Sequence, residues 1–287
     1  MMKKILVALS LMTVAVVGGR AALADRSPEI NAHFFPTKAN FEAHVSNFSG
    51  GSNLSYHNGP VIHSAHVVSI FWGPTWATGG SDNAIATHIT GFFGQFGTTT
   101  HYATITQYYD TTGSIQTTNM GNTYWNDTST PPTDVTDADL QAEVLKYLGT
   151  GVTFDSSAIY EVFLPASSYS SNGTSDSCGG PNLAYCAYHS HFSSGSYSNV
   201  KYSSMPYPSC GGCQSSGFTT AQNFDHFSSH ETREAVTDED GNAWYDHRGY
   251  EADDKCAWSP APFIDSSSGT AYGYQYEWSN QAGGCVQ

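Results

Sequence analysis

Six cysteines in a chain that opens with an export signal constrain this fold more than any other feature of the sequence. Thiols oxidise outside the cytosol, so an even number of cysteines in an exported chain reads as a disulfide framework, here of three bridges. Connectivity is open. Proximity along the chain favours Cys178–Cys186 and Cys210–Cys213, which leaves Cys256–Cys285 to tie down the C-terminus. The "CGGC" at 210–213 has the form of a redox pair or of half a zinc site. No second such pair exists, and its setting, "PYPSCGGCQSSG", is loop-like, which favours a structural staple.

The signal is the opening "MMKKILVALSLMTVAVVGGRAALA". Two lysines precede an apolar run, and Ala22-Leu23-Ala24 has the small-x-small form cut by signal peptidases. The apolar stretch from Ile5 to Val17 is short for a bilayer span, which needs ~20 residues. Residues 1–24 are therefore expected to be removed, leaving no membrane segment and a chain destined for the extracellular space or the periplasm. With Lys3, Lys4 and Arg20 gone, the 10 basic residues become 7 against 25 acidic ones, a net charge of −18. Such a chain repels polyanions, so nucleic acid is excluded as a partner. Peptides, cell-wall glycans and cations remain. No sequence feature speaks to oligomeric state.

Residues 25–52 are polar with scattered aromatics and read as a flexible leader, and 53–287 as one domain. In that domain "AHVVSIFW" (65–72) and "AIYEVFLP" (158–165) are buried strands. "YCAYHSHF" and "NVKYSSMPY" form a strand pair, and "GTAYGYQYEWS" (269–279) a final strand. Residues 82–96, 136–149 and 219–236 carry helical periodicity, with Asp82 and Thr136 or Asp137 as caps. Strands and helices alternate without strict order, so the expected class is α/β or α+β. The expected architecture is a single domain around a mixed sheet with a metal-site helix, zincin-like in plan.

That helix carries "SHETREAV". Residues four apart on a helix stand above one another, so His230 and Glu234 share a stripe with Glu231 beside it. Metal-dependent hydrolases use His-Glu-x-x-His in this geometry: two side chains ligate Zn²⁺ and the intervening glutamate takes the proton of the attacking water. Here Glu234 replaces the second histidine, and a carboxylate ligates zinc at nearly the same distance. Downstream, "HRGYEADDKCAW" offers Glu251 and Asp254 as further ligands if the chain folds back, with Cys256 fixing the return. His226, one turn before His230, is a reserve ligand or a hydrogen-bonding support. The bland alternative is an ordinary amphipathic helix end, with Glu234 paired to Arg233 or Lys255 and Glu231 facing water. "DEDGN" (238–242) also resembles part of a calcium loop, so Ca²⁺ is the alternative ion.

The stretch "HETREAVTDEDGNAWYDHRGYEADDKCAW" resembles the C-terminal signature of the Exordium-like, or phosphate-induced, protein family, here as a secreted member of bacterial type. The family's His-Glu-x-x-Glu falls on His230, Glu231 and Glu234. Its Asn-Ala-Trp-Tyr element falls on residues 242–245, and its Glu-x-x-Asp-x-Cys on Glu251, Asp254 and Cys256. "LSYHNGPVI", "VVSIFWGPTW", "SCGGPNLAYCAYHSHF", "CGGC" and "YQYEWSNQAGGC" follow the family order, so the resemblance spans 53–287. The "TDEDG" turn and the longer Cys178–Cys186 interval depart from it. Better-known members are plant extracellular proteins linked to growth and the cell wall. The resemblance implies export and a site on these residues, and names no reaction.

Two functions follow. One is a secreted zinc-dependent, peptidase-like hydrolase with Glu231 as general base, metal ligands among His230, Glu234, Glu251 and Asp254, and His189 or His191 near the oxyanion. The other is a non-catalytic wall or matrix protein with a structural cation site. Its aromatics, such as Trp76, Trp125 and Trp258, would bind glycans, while Trp72 and Trp278 fill the core. No Gly-x-Ser-x-Gly elbow and no phosphate-binding glycine loop is present.

Overall fold

A computed structural model describes residues 32–48 and 52–287; the signal read at residues 1–24 lies outside the described residues. In chain order, β1 (His33–Pro36) and α1 (Lys38–Phe48) precede the two-residue β2 (Ser55–Tyr56). Next come β3 (His66–Trp72), α2 (Asn83–Phe96), the one-turn α3 (Thr100–Ala103) and β4 (Thr123–Asp127). β5 (Asp134–Thr136) leads into α4 (Asp137–Leu148), β6 (Ala158–Phe163) and β7 (Tyr169–Ser171). A long hairpin, β8 (Tyr185–Ser194) and β9 (Tyr197–Met205), precedes the longest helix, α5 (Thr220–Thr237). Five short strands finish the chain: β10 (Trp244–Tyr245), β11 (Phe263–Asp265), β12 (Tyr272–Tyr274), β13 (Glu277–Ser279) and β14 (Gly284–Val286).

Six strands form one mixed sheet in the order β1-β8-β9-β6-β3-β4. β3 lies parallel to β4 and β6, and β9 parallel to β6. β8 runs the other way, antiparallel to β9, and β1 closes that edge antiparallel to β8. The inner strands are buried on both faces, which is why they read as near-continuous apolar runs. Alternate residues serve two cores. Val67, Phe71, Ile159, Phe163 and Ala187 pack with Phe92 of α2 and Phe224 and Phe227 of α5. Val68, Ile70, Tyr160, Val162 and Tyr188 pack with Leu140, Val144 and Leu148 of α4. The molecule is a mixed α/β domain with helices on both faces of the sheet.

Local signals explain the helices. Thr136 accepts a hydrogen bond from the Asp139 N–H, and the Asp139 carboxylate accepts from the Thr136 N–H, a reciprocal cap. Thr219 and Gln222 repeat the device at α5. Asp82 sits at the N-cap position of α2 without capping it, because its carboxylate accepts instead from the Tyr207 hydroxyl at 3.2 Å.

Four expectations are corrected. Residues 33–36, read as flexible leader, are an edge strand of the sheet, with His33 opposite His189 and Phe35 opposite Ala187. The disulfides are Cys178–Cys210 and Cys186–Cys213, not pairs of near neighbours, while Cys256–Cys285 forms as expected. The Gly211–Cys213 turn is thereby stapled at one end to the Cys178 loop and at the other to the start of β8, because cysteines close in space come from separate segments. The strand expected over 269–279 is split into β12 and β13, which belong to different hairpins. Gly273 explains the path: a Cβ there would lie 2.3 Å from the Gln222 carbonyl of α5. Finally, Trp76 is fully buried and offers no face to a glycan, and Trp258 is half-buried against Phe35; Trp72 and Trp278 are core residues as expected.

Candidate metal centre

Helix α5 is buried over its whole length from Gln222 to Thr237, so its polar side chains are interior groups rather than a solvent face. Buried polar atoms need partners. Phe224, Phe227 and Val236 take the apolar side of the helix, and the stripe containing His230, Glu231 and Glu234 faces β8 and the loop that follows β10. His230, Glu231 and Glu234 are 0 % exposed, as is Glu251.

Two overlapping groups each bring their ligand atoms within 4.8 Å: His230, Glu231 and Glu234, and His189, Glu234 and Glu251. His230 Nε2 lies 3.2 Å from Glu234 Oε2 and 3.8 Å from Asp254 Oδ1. His189 lies among three carboxylates. Its Nδ1 is 2.9 Å from Glu231 Oε2 and 3.9 Å from Glu234 Oε2, and its Nε2 is 3.7 Å from Glu251 Oε2. The His230 Nε2, His189 Nε2, Glu234 Oε2 and Glu251 Oε2 atoms are buried yet make no hydrogen bond, although they are this close. They fall in two groups that share Glu234, each compact enough to hold an ion. Two ligands held ~2.1 Å from a tetrahedral ion lie roughly 3.4 Å apart, close to the spacing found.

The imidazoles are set in the tautomer such a site needs. Gln275 donates its amide N–H groups to the Asp253 carbonyl at 2.9 Å and the Asp253 carboxylate at 2.8 Å, which turns its Oε1 toward the histidines. Oε1 lies 3.0 Å from His230 Nδ1 and 3.0 Å from His226 Nε2. As an acceptor it requires N–H on both, so the His230 lone pair is on Nε2, facing Glu234. His226 is thus a hydrogen-bonding support. The His189 contact to Glu231 in the same way places N–H on Nδ1 and a lone pair on Nε2, beside Glu251.

The return of the chain is also built. The Asp254 N–H donates to Glu234 Oε1 at 2.8 Å, and the Glu251 N–H to Asp254 Oδ2 at 3.3 Å. Cys256, two residues on, is locked to Cys285. Asp254 stands at the rim rather than the centre, with its side chain 14 % exposed. Neither cation suggested as a partner for Glu234 pairs with it. Arg233 is held by Asp253 and by Glu277 Oε2 at 2.6 Å, and Lys255 by Asp246 at 3.1 Å.

Burial pushes Glu234 and Glu251 far above the usual carboxylate range, with repulsion from Glu251 and Asp253 adding to Glu234 and from Asp238 and Asp254 adding to Glu251. Burial also raises Glu231, against the opposing pull of His230, and it drives His189 well down so that its ring is neutral. Asp254 is raised to about 8 by burial and the Glu234 charge. A cluster that holds this many carboxylates out of water is short of positive charge. A divalent cation would supply it and reverse these shifts. The donor set fits that ion.

Of the residues expected from sequence, His230, Glu231, Glu234 and Glu251 meet in the cluster and Asp254 at its rim. His189 was expected near an oxyanion; it is instead a member of the carboxylate cluster. His191 lies two residues along the same strand with its Nε2 buried and unpartnered. Sequence reasoning missed His33, whose Nδ1 lies 2.9 Å from Glu251 Oε2 and whose ring stacks on His189 at 5.2 Å. It also missed Gln275, a lone amide between two short strands with no motif to mark it. In the acidic turn, Asp238 accepts from the Asn242 and Ala243 N–H groups and Glu239 pairs with Lys201 at 2.8 Å, so these two acids serve the turn and the sheet. The cysteines near one another at 178, 210 and 213 are all in disulfides and hold no ion. Compared with family models, curated proteins and solved structures, the chain shows no match in any of the three.

Proposed function

We propose that this chain is an exported, zinc-dependent peptide hydrolase of Exordium-like descent. Carrying the proposal are two overlapping buried groups, His230–Glu231–Glu234 and His189–Glu234–Glu251, which share Glu234 and leave His230 Nε2, His189 Nε2 and Glu234 Oε2 without a hydrogen bond. Two imidazole nitrogens favour zinc over calcium, which takes oxygen ligands. When bound, zinc supplies Lewis-acid polarisation of a carbonyl and lowers the pKa of water. The protein's own groups do the rest. Glu231 has one oxygen committed to His189 and the other, Oε1, buried and unbonded, available to take a proton from water and return it to the leaving nitrogen. His189 orients that carboxylate. Gln275 and His226 hold His230 in its tautomer, and Asp254 lies where the cluster meets solvent.

Export is supported by the three disulfides, which fit an oxidising compartment, and by the signal at residues 1–24. Among the described residues no helix is long and apolar enough to cross a membrane. The non-catalytic alternative draws on one observation, the complete burial of the cluster. Substitution separates the two. Glu231→Gln should keep one equivalent of zinc and lower peptide hydrolysis by about 10²–10⁴-fold. Hydrolysis unchanged in that variant removes Glu231 as the base, and zinc binding with no hydrolysis under any condition leaves the structural reading.

A further inference from the structure

The burial of the cluster has one source that is separable from the body of the protein. β1 pairs antiparallel with the outer edge of β8, the strand that delivers His189. An exposed strand edge is a template for an extended peptide, with main-chain bonds giving affinity and alternate side chains giving specificity. β1 uses that edge in this way. His33 and Phe35, two apart and hence on one face, both reach the cluster. His33 meets Glu251 and stacks on His189. Phe35 lies between His230, at 4.3 Å and nearly parallel, and Trp258, at 5.1 Å. Trp258 Nε1 donates to the Pro36 carbonyl at 2.9 Å. A cavity of about 410 Å³ lies beside β1, with Phe34, Pro36, Tyr185 and Asp254 in its wall. The covering segment is not cross-linked: all three disulfides lie between Cys178 and Cys285.

We propose that the outer edge of β8 is the substrate cleft of this enzyme and that His33–Pro36 occupies it as a built-in stand-in. The substrate class is an extended peptide bound antiparallel to β8 with an aromatic side chain in the slot between His230 and Trp258. This rests on the hydrolase reading. In the reaction, the oxygen of water bonds to the acyl carbon and the C–N bond breaks with its electron pair going to nitrogen. The nitrogen takes a proton through Glu231, and the new carboxylic acid releases the other. His33 presents Glu251 with an imidazole, which has no acyl carbon to attack, so β1 blocks. A tethered segment acts at an effective concentration of about millimolar, so severing the chain ahead of the body weakens its hold without changing any contact.

The test uses the full chain with a site-specific protease sequence inserted between residues 48 and 52. Cutting after folding should raise hydrolysis of an aromatic-containing peptide by about tenfold or more. A labelled synthetic peptide of residues 32–43 should bind the cut, washed Glu231→Gln protein, and its Phe35→Ala form should bind at least about tenfold more weakly. In the uncut chain, Phe35→Ala should raise hydrolysis, which covers the case in which cutting unfolds the protein. Binding of the labelled peptide without hydrolysis in any state supports the cleft and removes the hydrolase reading. Equal hydrolysis before and after cutting, or a peptide that does not bind the folded cut protein, overturns the cleft and leaves the hydrolase reading standing.

Discussion

At the scale of single residues, the interior of this protein is unusually rich in acids, and each has a different reason to be there. Glu161 is the simplest case. It projects from β6 toward α5, fully buried, with Thr232 donating to one oxygen and the other left unbonded. Burial raises its pKa to about 8, against the hydrogen bond from Thr232. Its unfolded value is 4.5. Between these values the folded state keeps a proton that the unfolded state has lost, so stability falls as pH rises through that window. Glu161→Gln removes this dependence. The stability of the variant relative to the parent should rise by about 1.4 kcal/mol per pH unit between about pH 5 and pH 8, read from urea unfolding of both proteins. The other buried acids titrate alike in the two, and a difference flat with pH would contradict the assignment. The candidate site residues differ in how legible they were. His230, Glu231 and Glu234 sit at helical spacing, a local pattern, whereas His189 and His33 reach the cluster through strand register, which no local pattern records.

Among the elements, the helices were readable and the sheet edges were not. α4 announces itself by a Thr-x-x-Asp cap followed by apolar periodicity; α5 was read from periodicity alone, and its Thr219–Gln222 cap is seen in the structure. The cap of α5 matters because the helix buries its polar side and positions three site residues. Thr219→Ala leaves the Gln222 N–H unbonded and should cost about 1 kcal/mol of global stability, measured by denaturant unfolding. No loss would mean that packing alone sets the start of α5. β1 escaped notice because a four-residue strand is defined by its partner, and its partner lies some 150 residues away in β8. Similarly, β12 and β13 read as one strand, since the break that sends Gln275 inward comes from contact with α5 rather than from a Gly-Pro or Asn-Gly turn.

The whole molecule is a mixed α/β domain whose site is assembled from three separate regions, β8, α5 and the loop from Glu251 to Cys256, with β1 lying across it. Disulfide pairing by nearness in sequence failed at Cys178 and Cys186 because bridges join parts of the whole fold. Cys256–Cys285 was readable because little chain remained for either partner. That bridge holds the return loop in place. Replacing both cysteines by serine should lower stability by about 3–4 kcal/mol on loop-entropy grounds. It should also weaken zinc binding, because Glu251 and Asp254 lose their anchor; unchanged affinity would show that the loop is held without it. The central proposal is a divalent ion held where the two groups overlap at Glu234, with His230, His189 and Glu251 as candidate ligands. Its most direct test is a zinc titration of the chelator-treated full chain against a chromophoric competitor. The account predicts one tight equivalent, lost on His230→Ala and Glu234→Gln and retained on Glu231→Gln. A protein that takes up no zinc, or binds it equally well without His230, would contradict it.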